Sequence, residues 1–350
     1  MAQYFINSKD FLELVKRTLN GSTVIAPIEF DKKNRLELIT SENFGNINLS
    51  GFRAVEPFKS YIFRLIEKVS KYFGGDEAPH GKILTIIGAR GCDLEALEVL
   101  DRVFGEGDLK DPFYLKSREN MFIIGADCTD CGETCFCTTV KGKPFPQKLF
   151  DINLSPSFGG FVAEAGTEKG SKFILDSPDL FTEALETHIE EKERNRQRIT
   201  SLVDEKNRQF HLRVKLSETH KANLTNKVWK TLTKDCVECS ACNFICPTCT
   251  CFLLLDQDKN KDKYERFKVW DACLKASYAK VAGGANPRGK LHERLQNRYQ
   301  CKFDYSFDRL DRYTCVGCGR CIDGCAGNID MRKIFMELEK QAPFTAILLE

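Results

Sequence analysis

The apolar positions of KILTIIGARGCDLEALEVLDRVF change period part-way along. Ile83 to Ile87 form a short run that is apolar except for Thr85, a glycine turn follows, and Leu94, Leu97, Leu100 and Phe104 then recur at helical spacing. The pattern predicts a strand, a turn and an amphipathic helix. MFIIGADC predicts a second strand, ending just before Cys128. A strand–helix–strand unit of this length implies parallel neighbours with a right-handed crossover, so the carboxyl ends of both strands lie at one edge of the sheet. Further on, residues 178–234 combine helical spacing with dense charge, which suits a connector or outer helices. RFKVWDACLKASYAKVAG reads as helix, and GTEKGSK, whose spacing is wrong for a phosphate loop, reads as a hairpin turn. The expected organisation is an α/β domain with a parallel βαβ unit and charged connector over residues 1–222, followed by an α-helical domain over 223–350.

Composition changes this picture little. A chain of 350 residues is long enough for two domains, each with its own core. The 42% hydrophobic and 29% charged residues suit a soluble globular protein, and a formal charge of +2 points to neither nucleic acid nor a membrane surface as partner. Locally, Glu191 to Lys234 holds 12 Lys/Arg against 5 Asp/Glu, a basic stretch able to dock an acidic surface or simply to form a solvated helical face. The opening MAQYFINSKDFLELVKRTLN has no continuous apolar run, and nothing later approaches the length of a membrane span. The expectation is a cytoplasmic, soluble chain.

That compartment gives meaning to 17 cysteines, an odd number that a reducing cytosol keeps free for metals. None precedes Cys92, five lie between Cys92 and Cys137, and twelve between Cys236 and Cys325. Cys236, Cys239, Cys242 and Cys246 follow C-x2-C-x2-C-x3-C with Pro247 behind, and Cys315, Cys318, Cys321 and Cys325 repeat the spacing with Ala326 in place of Pro. In two-cluster ferredoxins the fourth cysteine of such a run ligates the other cluster. The expected sets are therefore crosswise: Cys236, Cys239, Cys242 and Cys325 for one [4Fe–4S] cluster, and Cys315, Cys318, Cys321 and Cys246 for the second. Zinc, with four ligands to one ion, leaves the third cysteine of each run without a task.

Cys249 and Cys251 form C-x-C, and in an extended segment both point to one side. With Cys273 and Cys301 they make a further set of four, competing with the reading of buried cysteine as a small hydrophobe. In the first half, Cys92 and Cys128 follow the two predicted strands, and Cys135 and Cys137 follow within ten residues of Cys128. The parallel topology brings these four to the sheet edge where open α/β sheets hold ligands, and the helix start at Cys92 favours its thiolate. Another cluster, a zinc ion or a reactive thiol fits this set. Cys131 is left over, or exchanges roles with Cys128. Two [4Fe–4S] clusters and one or two more are thus expected. Arg288, Lys290, Arg294 and Arg298 lie near the cysteine-rich region, where positive charge favours the reduced state of a cluster.

The helical reading between the two motifs resembles the ferredoxin-like part of the succinate dehydrogenase iron–sulfur subunit. Over most of the chain IIGARGCD, IIGADC, CFC, CVECSACNFICPTCTC, WDAC, AGGANPR, NRYQC and CVGCGRC resemble the β subunit of cytoplasmic sulfhydrogenases (bidirectional NiFe hydrogenases) and the A subunit of anaerobic sulfite reductase. The resemblance implies a noncatalytic relay of single electrons between a flavin/NAD(P)-binding subunit and a catalytic redox subunit of hydrogenase, sulfite reductase or heterodisulfide-reductase type. The sequence contains no G-x-G-x-x-G after a strand, no G-x-x-x-x-G-K-[ST] and no H-E-x-x-H, so no catalytic residues are assigned. A catalytic iron–sulfur reductase acting on a disulfide or sulfur species is the alternative, and a nucleic-acid-binding regulator a third reading.

Overall fold

The Ile-Ile-Gly-Ala runs become adjacent central strands because both their faces are covered. The computed structural model describes residues 3–71, 75–76, 83–225, 227–260 and 263–341. Its strands are β1 (Gln3–Asn7), β2 (Thr23–Phe30), β3 (Lys33–Ile39), β4 (Ile66–Lys71), β5 (Gly75–Asp76), β6 (Leu84–Ala89), β7 (Met121–Ala126), β8 (Ile152–Ser157), β9 (Gly160–Ala165), β10 (Thr182–Glu183), β11 (Phe252–Asn260) and β12 (Lys263–Trp270). The larger sheet runs β10-β1-β9-β8-β7-β6-β2-β3, and its centre, β2, β6, β7 and β8, is parallel. Successive strand residues face opposite sides. Accordingly Ile87 and Ile124 join Phe11, Leu14 and Val15 of the helix Ser8–Leu19, while Ile86 and Ile123 join Leu94, Leu97, Leu100 and Phe104 of the helix Gly91–Gly105. The expected βαβ unit is present, with its helix on the predicted apolar face.

Two local expectations are corrected. RFKVWDACLKASYAKVAG is not helix: RFKVW lies in β12, which pairs antiparallel with β11, which carries FLLL, and with β4, and the remainder runs in turns. Phe, Val, Trp and Tyr favour a pleated strand, and the run has antiparallel partners on both sides. Part of the segment between the two C-x2-C-x2-C-x3-C runs is therefore a β-hairpin, and the C-terminal region mixes this hairpin with helices such as Leu291–Gln300 and Met331–Gln341. Because β4 precedes residue 83, the smaller sheet, β11-β12-β4-β5, is built from both halves of the sequence. GTEKGSK is not a hairpin turn. Thr167 caps the helix Glu168–Leu175, its Oγ1 accepting from Gly170 N at 3.1 Å.

Buried and half-buried ion pairs fasten the two halves. Arg320 pairs with Asp93 at 2.8 Å and donates from Nε to Ala54 O at 3.0 Å. Arg312 pairs with Glu95 and Glu98, Lys268 with Glu67 at 2.7 Å and Asp111 at 2.6 Å. Burial works against the charge of Arg320, yet Asp93, Cys318 and Cys92 raise its pKa overall.

Candidate metal centres

The carboxyl ends of β6 and β7 are locked together by one side chain. Arg90, 1% exposed, donates to Asp127 O, to Leu49 O at 2.7 Å and to Ala126 O at 3.4 Å. This holds Cys92, in the first turn of its helix, beside Cys128, which follows β7. Cys92, Cys128, Cys131, Cys135 and Cys137 all line one cavity, and Cys318 from the far half of the sequence joins them. Cys137 lies within electrostatic reach of Cys128 and Cys135, and Cys92 of Cys128. The topology thus gathers the predicted N-terminal set, and Cys131 with it. The expected thiolate at Cys92 is corrected: burial, then Asp93, push its pKa well up against the pull of Arg320. A helix terminus is worth at most about 2 kcal/mol, whereas full burial costs a charged group up to about 4–7 kcal/mol. Burial likewise pushes Cys128 up to about 12 and Cys131 up to about 11.

Cys236, Cys239, Cys242 and Cys325 line a second cavity, with Leu295, Tyr299 and Met331 as its apolar wall. The loop between the first cysteines turns through two left-handed residues, Glu238 (φ 55°) and Ser240 (φ 60°), and Glu238 is held by buried Arg294 at 2.6 Å. After Cys325 the chain turns without proline: Asn328 N donates to Cys325 O at 3.0 Å, and Ile329 N to Cys325 Sγ at 3.3 Å. Ala326 therefore leaves the local turn intact. Cys239 is exposed.

Cys321 lies within electrostatic reach of Cys315, Cys318 and Cys246, so the second crosswise set also comes together. Burial pushes Cys315 up to about 12. Alternate glycines of CVGCGRC allow the close approach. Gly317 (φ +64°) and Gly319 (φ +72°) are left-handed, and a Cβ on Gly317 would stand 2.6 Å from Cys137 Cα, one on Gly319 2.3 Å from Thr134 O. Phe136 N donates to Gly317 O at 2.8 Å, and Arg53 Nε to Cys318 O at 2.5 Å. The cysteine loop Thr134–Cys137 thus lies directly on the CVGCGRC loop.

In the fourth group, Cys251, Cys273 and Cys301 lie around Tyr278, within electrostatic reach of it. Cys249 sits between this group and Cys246. Asn243 Nδ2 donates to Cys273 Sγ at 3.1 Å and reaches Cys249 Sγ at 3.8 Å, while Arg298 Nη1 donates to Cys249 Sγ at 3.4 Å. A hydrogen bond from Cys249 draws the Cys246 pKa well down against burial, with help from Lys302, Arg298 and Lys59. Cys301 is exposed.

The cations were only partly legible. Arg298 and Arg294 take the expected positions near the cysteines, whereas Lys290 is exposed. Lys302 and Lys59 were missed because nothing in a sequence marks a lysine as buried. Lys302 is 3% exposed and donates to Thr248 O at 2.9 Å and Thr248 Oγ1 at 2.7 Å. Burial opposes its charge, but Cys246, Cys249 and Cys301 raise its pKa overall. Lys59, donating to Cys249 O at 2.9 Å, goes the other way under burial.

Among the described residues, no three His, Cys, Asp or Glu side chains converge closely enough to hold one metal ion. Thiolates on one tetrahedral zinc, with Zn–S near 2.3 Å, stand about 3.8 Å apart. Cysteines that each take a different iron of a cluster form wider rings, and rings walled by four or more cysteines suit that group. Residues 235–329 match the family model of the 4Fe-4S dicluster domain. Over 339 residues, 96% of this chain and 98% of the relative, the sequence is 29% identical to Sulfhydrogenase 2 subunit beta of Pyrococcus furiosus. Over nearly its whole length the chain is thus similar to a sulfhydrogenase β subunit, and residues 235–329 carry the 4Fe-4S dicluster pattern. As a dicluster protein it is an iron–sulfur, electron-transfer protein whose matched region contains both C-x2-C-x2-C-x3-C runs. Among its described residues no helix is long and apolar enough to cross a membrane.

Proposed function

We propose that this chain is the iron–sulfur relay of an anaerobic multisubunit oxidoreductase, passing single electrons between a flavin/NAD(P)-binding subunit and a catalytic redox subunit of hydrogenase, sulfite reductase or heterodisulfide-reductase type. Cys236, Cys239, Cys242 and Cys325 hold one [4Fe–4S] cluster, and Cys315, Cys318, Cys321 and Cys246 the second. Cys92, Cys128, Cys135 and Cys137, on residues 1–222, hold a third, with Cys131 beside them. Cys249, Cys251, Cys273 and Cys301 hold a fourth. Each cluster supplies one-electron chemistry through thiolate-bound iron and sulfide.

The observation that carries this reading is the contiguity of the four cysteine groups. Cys318 lines the N-terminal cavity, Cys321 lines the cavity of Cys236 and Cys325, and Cys246 neighbours Cys249. The set of Cys315, Cys318, Cys321 and Cys246 therefore borders all three others. Exposed Cys239 and Cys301 bring two groups to the surface, giving a partner a short path in or out. The buried thiols must lose protons to take iron, so loading the chain releases protons.

A flavin accepts a hydride and returns single electrons, the conversion that this chain's thiolate sites do not provide. The chain alone is expected to accept electrons from dithionite but not from NAD(P)H, and addition of the flavin subunit to make NAD(P)H reduce it, followed by bleaching near 400 nm. Stoichiometric flavin and NAD(P)H oxidation in the chain freed of every partner would overturn the relay, and turnover of a disulfide by that chain would favour the catalytic reading.

A further inference from the structure

The basic connector has so far had no task. After the helix Glu186–Asn207 the chain runs from Arg208 to Leu216 along the rim of an open cleft of about 610 Å³, whose opposite wall begins at Thr138, the residue after Cys137. Four cations, Lys141, Arg208, Arg213 and Lys215, line this cleft against a single carboxylate, Asp204. All four are exposed. Lys215 pairs with Glu218 at 3.5 Å, whereas among the described residues no carboxylate lies within ion-pair reach of Lys141, Arg208 or Arg213.

The rim is fixed, and it is fixed to the cysteines. Glu339 Oε1 accepts from Arg213 N at 2.7 Å and Val214 N at 3.1 Å, and Asn207 Nδ2 donates to Cys135 O at 2.7 Å. Lys141 and Tyr313 also line a second opening, and its wall includes Cys92, Cys137 and Cys315. The basic cleft therefore flanks the surface entry to two cysteine groups at once.

We propose that this cleft docks an acidic segment of the subunit that exchanges electrons with the N-terminal cysteine group, an inference that rests on the relay reading above. Unpaired guanidinium and ammonium groups on a concave wall attract a run of carboxylates, and steer association most strongly at low salt. Seated there, the partner's own redox group lies over the opening to Cys92, Cys137 and Cys315. Charge favours a protein segment over duplex nucleic acid, which needs a broader basic face than the four cations of this cleft.

The test uses the native complex and the full chain. Zero-length carbodiimide coupling of the complex is expected to join Lys141 or Lys215 to a Glu or Asp of another subunit, and both lysines to resist acetylation in the complex but not in the isolated chain. The triple variant K141Q/R208Q/R213Q is expected to slow partner-driven reduction by about tenfold or more at low salt and to flatten its salt dependence, with iron content and dithionite-reduced spectrum unchanged. The variant K9Q/K32Q/K33Q, which removes the same charge elsewhere, is expected to behave as wild type. A labelled oligoglutamate peptide should bind wild type and not the first variant. Equal acetylation of Lys141 in complex and isolated chain, partner-driven reduction of the triple variant at the wild-type rate, or binding of a short DNA duplex in preference to oligoglutamate would each overturn the proposal. Failure of the relay reading would be seen separately, as absence of partner-driven reduction in the wild type itself.

Discussion

Cys318→Ser is expected to remove about four irons per chain and to reduce electron transfer from one partner to the other by more than the roughly 100-fold that outer-shell changes cost. Cys318 is 8% exposed, its carbonyl is fixed by Arg53, and it neighbours Cys315 and Cys321 on one side and Cys92 and Cys135 on the other. Serine leaves a shorter, harder ligand at the junction of two groups. Reduction by NAD(P)H through the flavin subunit should persist in the remaining groups, while delivery to the catalytic subunit fails. Because Cys318 also walls the N-terminal cavity, the electron paramagnetic resonance signal assigned to Cys92, Cys128, Cys135 and Cys137 should change shape without being lost. Cys131→Ser, by contrast, is expected to keep the full iron count. An unaltered iron count in Cys318→Ser would remove this residue from the ligand set.

Lys302→Met is expected to lower the reduction potential of the cluster held by Cys246. The ammonium is buried and stabilises each added electron, and Thr248 fixes it within reach of Cys246 and Cys249. A unit charge about 7 Å away at an effective dielectric of about 20 is worth about 2.4 kcal/mol, or about 100 mV for one electron. Lys302→Arg, which keeps the charge, should move the potential much less. Spectroscopic redox titration of the two variants, with iron counted in each, separates this electrostatic effect from loss of a cluster. A potential in Lys302→Met equal to that of wild type at full iron content would contradict it.

What was legible in the sequence was short-range. Cysteine spacing announced the two ferredoxin-type runs, and the change of apolar period across Ile87 and Leu94 announced a strand and a helix that bring Cys92 and Cys128 to one edge. The helical reading of RFKVW failed because so short a segment fixes no period; its polar–apolar alternation suits a strand, and its pairing with β4, about 200 residues earlier in the chain, decides it. Contacts of that range leave no local mark. Arg53, Arg320 and Lys302 look like surface cations in sequence; the meeting of the two halves buries Arg53 and Arg320, and Lys302 is buried against Thr248, more than 50 residues earlier in the chain. The glycines of CVGCGRC were the available sign: two glycines between metal-ligand cysteines suggest a backbone that something approaches closely, here the loop of Cys135 and Cys137.

The measurement that bears most directly on the whole account is iron and acid-labile sulfide per chain after anaerobic purification, with Mössbauer spectroscopy of the ⁵⁷Fe-loaded protein to identify the cluster type. Four contiguous cysteine groups predict about 16 irons, all in [4Fe–4S] form, whereas a reproducible count of about eight after full reconstitution would leave only the two motif-bound clusters and contradict a relay that runs through both halves of the chain.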